Sequence, residues 1–130
     1  MSFSNYLELK LLDEIVGKTA FTMPTAYLAL FVGDPLDTGA GGSEVSGNNY
    51  ARVSTAGGDW NAAASGSIDN ANAITFPQAS GSWGTVDYFA IFDAASAGNL
   101  LASGVLDSSK AVGSGDTPEF AAGAIVITLD

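Results

Sequence analysis

The sequence contains neither cysteine nor histidine among its 130 residues. Without cysteine there is no disulfide framework and no thiolate nucleophile. Without histidine the chain lacks the most common general base, the Ser-His-Asp arrangement and the usual imidazole ligand of zinc. Stability must therefore come from packing or assembly, and most general-base, thiol and zinc arrangements of enzymes are excluded before any fold is considered.

Basic residues are also scarce. Lys10, Lys18, Arg52 and Lys110 stand against 14 acidic residues, which gives a net charge of −10. Nucleic-acid binding requires clustered Lys and Arg to neutralise phosphates, and anionic membrane surfaces attract polybasic segments. We therefore expect no nucleic-acid partner and no membrane partner. The acidity favours solubility and suits a basic surface on a protein partner.

Long hydrophobic runs are missing too. No stretch approaches the roughly 20 apolar residues of a membrane span, and the first residues do not have the pattern of a secretory signal. The chain instead has 47% hydrophobic residues, many of them alanine, together with 16 glycines. This composition predicts a real core built from thin strands and tight turns. The length predicts one domain over residues 1–130.

Only the first segment has a helical pattern, and we assign residues 1–17 to an N-terminal arm and helix. Ser4 is a suitable N-cap and Gly17 a suitable C-terminal stop. Apolar residues recur between them at helical spacing: Tyr6, Leu7, Leu11, Leu12 and Ile15. A helix of about three turns is marginal alone, so this stripe must dock. We predict docking on the chain's own sheet, with a partner protein as the alternative.

From Pro24 onward the pattern is typical of short strands separated by Gly, Asn, Asp and Ser turns. The strongest strands are 26–32 and 83–92, and both registers of 83–92 are partly apolar, so we expect both its faces to be covered. Further strands are expected within 44–53, 71–76, 99–107, 110–112, 117–120 and 123–129, with 56–70 as a long loop or weak hairpin. Such spacing indicates a β-sandwich or barrel. We predict a mainly β fold, a single jelly-roll-like β-sandwich of seven to nine short strands over 24–130, with one N-terminal α-helix.

Acidic side chains are the remaining candidates for chemistry. The glycine-rich run at 39–42 lacks the Lys-Ser/Thr of a P-loop. The candidates for a sugar-cleaving carboxylate pair are Asp59, Asp69 and Asp87. Those for a calcium site are Asp34, Asp37 and Glu44, which match no EF-hand loop. Since a small sandwich offers little material for a deep cleft, we predict no catalytic residue, no cofactor and no metal site.

Several stretches spread over almost the whole chain form a recognisable set. They are Ser2-Phe3-Ser4-Asn5-Tyr6-Leu7-Glu8, Leu11-Leu12-Asp13, Leu28-Ala29-Leu30-Phe31 with Asp34-Pro35, Glu44-Val45-Ser46-Gly47 with Tyr50-Ala51-Arg52, Ile74-Thr75-Phe76-Pro77, Trp83-Gly84-Thr85-Val86, Phe89-Ala90-Ile91-Phe92-Asp93 and Gly98-Asn99-Leu100-Leu101. Together they resemble a family of small phage virion proteins described as tail-fibre-like or capsid-associated. Where such sequences typically carry a histidine after Leu-Leu-Asp, this one has Glu14. The resemblance implies a structural protein of the virion, assembled in the bacterial cytoplasm.

We predict a capsid decoration protein that binds the major capsid protein, neighbouring copies of itself, or both, as a homo-oligomer on the particle. The predicted interface residues are Ser2, Phe3, Ser4, Asn5, Tyr6, Tyr50, Arg52 and Trp60. The alternative is a tail or fibre component that binds host glycan, for which an exposed Trp60 or Tyr50 would stack on sugar. A small carbohydrate-active enzyme is the third hypothesis.

Overall fold

A computed structural model describes residues 1–129. It contains one α-helix, a single turn of 3-10 helix at Gly57–Asp59, and ten short strands. In chain order the elements are β1 (Ser2–Phe3), α1 (Asn5–Ile15), β2 (Ala26–Val32), β3 (Ser43–Glu44), β4 (Val53–Thr55), β5 (Ser67–Asp69), β6 (Ile74–Thr75), β7 (Gly84–Phe92), β8 (Leu100–Val112), β9 (Glu119–Phe120) and β10 (Val126–Thr128). The predicted mainly β fold with one N-terminal helix is confirmed. No helix within the described residues is long and apolar enough to cross a membrane.

The helix begins and ends where its capping residues predict. The hydroxyl of Ser4 accepts a hydrogen bond from the Leu7 amide at 3.1 Å, which satisfies one of the free N–H groups of the first turn. At the other end the amides of Gly17 and Lys18 donate to the Glu14 and Asp13 carbonyls. Gly17 has a φ of +68°, so this is a Schellman motif with glycine in the left-handed position.

Six strands form one open antiparallel sheet. Its path runs from β1 through β8 and β7 to β2, and the far edge of β2 pairs with both β3 and β4. The remaining strands form two separate antiparallel pairs, β5 with β10 and β6 with β9. The strand count exceeds the predicted seven to nine because β1 and β5 were not expected.

The pairing of β7 with β8 contains a large bulge. Val86 pairs with Lys110, but Tyr88 pairs with Val105, so four residues of β8 (106–109) oppose the single residue Asp87. The two strands predicted at 99–107 and 110–112 are therefore one strand interrupted by this bulge. Extra residues bend a strand and open the ladder locally.

Both faces of the central strands are covered, as their two apolar registers predict. One face meets the main core, to which the small strand pairs contribute Ile74, Phe76 and Ile125. The other face carries a smaller cluster of buried side chains: Ala29, Phe31, Ala90, Phe92 and Leu100. The Arg52 guanidinium lies over the Phe92 ring, 3.8 Å from its centre.

The helix docks on its own sheet along only part of its apolar stripe. Leu7 is buried, and Tyr6 and Leu11 are half-buried against the main core. The prediction is wrong for Leu12 and Ile15, which are exposed. The reason is that the attachment is at the N-terminal end, where the Ser4 amide donates to the Leu101 carbonyl at 2.8 Å.

Candidate functional site

The N-terminal arm is an edge strand of the sheet. Ser2 and Phe3 pair with Ser103 and Ala102 of β8, and Ser4 is buried as the N-cap of α1. Of the five predicted interface residues in this arm, Ser2 and Asn5 are the exposed ones. Their role at an interface stays a prediction.

Arg52 is bound inside the molecule. Its Nε and Nη2 donate to the two carboxylate oxygens of Glu44 at 2.7 and 2.8 Å. Its Nη1 donates to the Ala94 and Ala97 carbonyls, each at 2.8 Å. The side chain is only 5% exposed. Arg52 therefore ties β3 to the turn that precedes β8, and its role at an interface stays a prediction.

Tyr50 is also an internal residue. Its hydroxyl accepts a hydrogen bond from the Leu30 amide at 3.0 Å and donates to Glu44 at 2.9 Å. Its ring packs against Phe76 and, edge to face, against Trp83. Tyr50 therefore does not present the exposed ring that sugar stacking requires, because segments distant in sequence pack against it.

Burial raises the pKa of the Tyr50 phenol well above its ordinary value, and the neighbouring Glu44 carboxylate adds to this increase. The unfolded chain releases the phenol proton above a pH of about 10, whereas the native chain still retains the proton at that pH. The free energy of unfolding must therefore fall as the pH rises above that value.

A Tyr50→Phe variant is expected to lose this part of the alkaline decline. At neutral pH it should cost about 1–2 kcal/mol, because the Leu30 amide loses its acceptor. Urea unfolding of both proteins between pH 7 and 11 measures the difference. Parallel pH curves for the two proteins would contradict the assignment.

Trp60 is half-buried and packs against the main core. Its indole N–H donates to the Thr55 hydroxyl at 3.1 Å, and its backbone bridges to Asn70. The ring borders a groove of about 540 Å³ that also includes Leu7 and Met23. Trp60 is thus half-buried rather than the exposed ring that the glycan alternative requires, and its role at an interface stays a prediction.

The carboxylates weighed for catalysis each hold a different local structure. Asp59 accepts from the Ala56 amide at 2.8 Å and from Asn72 at 3.2 Å, and these hydrogen bonds lower its pKa. Asp69 accepts from Asn61, and Asp87 accepts from the Gly33 amide. These contacts are turn and loop contacts, with each carboxylate bonded to different neighbours.

The calcium candidates are likewise engaged separately. Asp34 accepts from the Leu36 amide, Asp37 from the Ser2 hydroxyl and Glu44 from Arg52. Within residues 1–129, no group of three or more metal-ligating side chains lies close enough to hold an ion.

A recess of about 360 Å³, here called the polar pocket, lies where α1 begins, beside the turn before β8. Its base includes the buried side chains of Phe92 and Leu100. Its remaining lining is mostly polar and contains no basic residue: Ser4, Asn5, Tyr6, Asp37, Thr38, Gly39, Gly98 and Asn99.

Several hydrogen-bonding groups of the polar pocket have no partner within residues 1–129. Asn99 is held by Asp93, which accepts from its backbone amide at 2.6 Å and its side-chain N–H at 2.8 Å, so its side-chain carbonyl stays open. One Asp37 oxygen accepts from Ser2 at 2.6 Å, which leaves the other. Among residues 1–129, the side-chain amide of Asn5 makes no hydrogen bond. The pocket thus presents oriented amide and carboxylate groups, which the residue pattern had not predicted.

These features define a β-rich protein in which the candidate carboxylates hold local turns, loops and side chains of the same chain. A family model described as Podophage GP4 fiber I protein gp80 matches residues 2–128. The chain belongs to this family, so it is a phage fibre protein and a structural component of the virion. No curated protein matches the sequence.

Family membership confirms the predicted location in the virion and implies a non-enzymatic role. It corrects the predicted position on the particle, since it supports the fibre alternative rather than capsid decoration. A β-rich module of a capsid and one of a fibre can share the same composition and strand pattern. The sequence alone therefore could not distinguish these two locations. The proposed contacts with the major capsid protein or with neighbouring copies stay predictions.

Proposed function

We propose that this chain is the part of the phage fibre that contacts a host-surface glycan, and that the polar pocket binds one neutral sugar unit. The observation that carries this proposal is the set of free hydrogen-bonding groups around a recess with an apolar base. Such convergence of a few polar groups on a concave surface is typical of ligand sites.

The chemistry of the lining suits sugar hydroxyls. Each hydroxyl both donates and accepts, and the amides of Asn5 and Asn99 offer both functions in one plane. The Asp37 carboxylate accepts only, and a bond from a hydroxyl to a charged oxygen is stronger than a neutral one. Because Asp93 fixes Asn99 in place, little side-chain entropy is lost on binding.

The negative charge of the polar pocket favours a neutral sugar over an acidic one. The polar pocket contains Asp37 and no basic side chain, and the chain carries a net charge of −10. An acidic sugar would therefore meet repulsion without a compensating cation. A volume of about 360 Å³ lies at the low end for ligand pockets, which fits a single ring with its neighbours outside.

A single shallow site of this kind binds weakly, and a fibre compensates through repetition. Linked copies raise the effective concentration at the next site, so avidity exceeds the affinity of one pocket by about 10²–10⁴. The host contact is expected to depend on several chains acting together.

The test uses an array of neutral and acidic bacterial surface glycans, probed with the chain displayed on a multivalent bead. Neutral glycans should bind, and Asp37→Asn and Asn5→Ala should each reduce the signal at least tenfold. The matched control is Asp107→Asn, an equal charge change on an exposed residue of β8. Binding of acidic glycans alone, binding of none, or equal binding by all three variants would overturn the proposal.

A further inference from the structure

An apolar groove lies along the bulged end of β8. This β8 groove has a volume of about 500 Å³, which is within the range of binding recesses. Its lining includes the rings of Phe89 and Phe120, whose centres are 5.8 Å apart, and Val105, which is 64% exposed. Residues 106–109 bulge away from β7 beside it, so the ladder is locally open. Exposed apolar surface with a polar rim is typical of an interaction site.

The β8 groove is also acidic. Three exposed carboxylates, those of Asp107, Asp116 and Glu119, lie on its lining with a single basic residue, Lys110. Within residues 1–129 the one ion pair joins Arg52 to a different carboxylate, that of Glu44. Lys110 therefore neutralises none of the three, and the groove presents a net negative charge to its surroundings.

Each of these carboxylates keeps an oxygen that has no partner within residues 1–129. One oxygen of Asp116 accepts from the Gly113 amide at 2.8 Å, and one of Glu119 accepts from the Thr75 hydroxyl at 2.8 Å. The side chain of Asp107 makes no hydrogen bond there. A cationic side chain in the groove could therefore pair with a carboxylate without breaking a bond that holds the fold.

This combination of apolar and acidic lining distinguishes the β8 groove from the other two recesses. The groove beside Trp60 contains no charged residue in its lining, and the polar pocket contains Asp37 alone. The β8 groove and the polar pocket share no lining residue, so an inference about the groove does not rest on the glycan site.

The chain itself has no surface that matches this groove. Of its four basic residues, Arg52 is enclosed, Lys110 belongs to the groove, and Lys10 lies over the Tyr6 ring. Only Lys18 remains, which is too few cations to offset three carboxylates. Charge therefore opposes the docking of a second copy in the groove, and favours a different protein with basic residues.

We propose that the β8 groove binds a basic, amphipathic segment of another protein. Apolar side chains of the segment enter the groove, and flanking Arg or Lys side chains pair with the carboxylates on its lining. Burial of apolar surface supplies most of the affinity, whereas the complementary charges speed the encounter and select the partner. Arginine suits the carboxylates best, because its planar group can donate two hydrogen bonds to one of them.

Fluorescence anisotropy with a labelled peptide tests the proposal. The probe is Arg-Leu-Arg-Phe-Arg-Leu-Arg. One control peptide has serine at every apolar position, and the other has glutamate at every basic position. We expect the full chain, at physiological ionic strength, to bind the probe at least tenfold more tightly than either control peptide.

Charge variants locate the binding site. Asp107→Asn combined with Glu119→Gln should weaken binding of the probe at least tenfold. The matched control combines Glu8→Gln with Asp13→Asn on α1, where neither residue lines the groove, and should change the affinity by twofold or less. Both double variants have the same net charge, so a difference between them cannot come from the overall acidity of the chain.

The apolar contribution is tested at Val105. Val105→Lys removes an exposed apolar side chain and adds an opposing charge, and it should also weaken binding at least tenfold. Leu129→Lys makes the same change at an apolar residue that is 63% exposed and outside the groove, so it should have little effect. Circular dichroism verifies that all variants remain folded.

Three results in the peptide experiments would overturn the proposal: no binding of the probe, equal binding of the serine control peptide, or equal losses in the two double variants. Sedimentation velocity of the chain alone tests the other occupant. Self-association that Val105→Lys abolishes would assign the groove to a second copy and would also overturn the proposal.

Discussion

Replacing Asn70 with alanine is expected to lower the free energy of unfolding by about 3–5 kcal/mol, because three backbone groups, the buried Ile125 amide among them, lose their partners together. Asn70 is completely buried. Its side-chain N–H groups donate to the Asn72 and Ala121 carbonyls, each at 2.9 Å, and its carbonyl accepts from the Ile125 amide at 2.8 Å. This one side chain joins the end of β5 to the segment that leads into β10.

An Asn70→Asp variant separates these contributions. Aspartate keeps the acceptor for Ile125 but loses the two donors and places a charge in a buried site. Burial raises the pKa of such a carboxyl above that of the unfolded chain. Stability is then present below the unfolded pKa and is lost as the pH rises through the folded pKa, so this variant should be more stable at pH 4 than at pH 7.

Urea unfolding followed by circular dichroism measures both variants. The matched control is Asn72→Ala, since Asn72 is an exposed amide whose bonds go to Gly58 and Asp59. It should cost no more than about 1 kcal/mol. A loss at Asn70→Ala as small as that of the control would show that β10 does not depend on this residue.

Replacing Arg52 with alanine is expected to cost about 3 kcal/mol, because it leaves the half-buried Glu44 carboxylate without its cationic partner, with only the Tyr50 hydroxyl still donating to it. It also removes donors from the Ala94 and Ala97 carbonyls and the cation above the Phe92 ring. Arg52→Lys should recover less than half of this loss, since an ammonium cannot form the two-pronged contact with the carboxylate.

A double-mutant cycle with Glu44→Gln tests the cause. If the cost comes from an unpaired carboxylate, the double variant should be clearly more stable than the sum of the two single losses predicts. Additive losses would assign the effect to packing alone. Lys18→Ala, at an exposed residue, is the surface control and should change stability by less than about 0.5 kcal/mol.

Arg52 also links stability to the proposed site. The turn it holds at Ala94 and Ala97 leads directly to Asn99 of the polar pocket. Arg52→Ala is therefore expected to weaken glycan binding without touching the sugar, whereas Asp37→Asn should weaken binding with stability unchanged. Comparing the two variants distinguishes a positioning residue from a contact residue.

Local features could be predicted from the sequence. The N-cap at Ser4 and the C-terminal stop at Gly17 each depend on contacts within a few residues, so both ends of α1 can be predicted from the local sequence. Strand β2 has the predicted limits because its seven residues form a continuous apolar run between polar turns. The two apolar registers of β7 likewise predict covering on both faces.

Features that depend on distant partners could not be predicted. β5 is a strand only because β10 pairs with it some 60 residues later, and its own composition is typical of a loop. Arg52 and Tyr50 look like surface residues in sequence, but both donate to Glu44, and Arg52 also donates to the Ala94 and Ala97 carbonyls. Leu12 and Ile15 have the spacing of a docked stripe, yet the sheet meets only the first turns of the helix.

The sequence by itself determined the fold class and the absence of some chemistry: without cysteine and histidine there is no thiol or imidazole group, and the strand and turn patterns make the fold mainly β. The scarcity of basic residues predicts that no nucleic acid is bound. These two conclusions follow from residue type and from short-range periodicity, and both can be read directly from the sequence. Tertiary structure alone decided which side chains remain free. It enclosed the Arg52 side chain, half-buried Tyr50, brought residues 5 and 99 together at the polar pocket, and left Leu12 and Ile15 exposed. Exposure is set by segments far apart in the chain that fold over one another, so it cannot be read from neighbours in sequence.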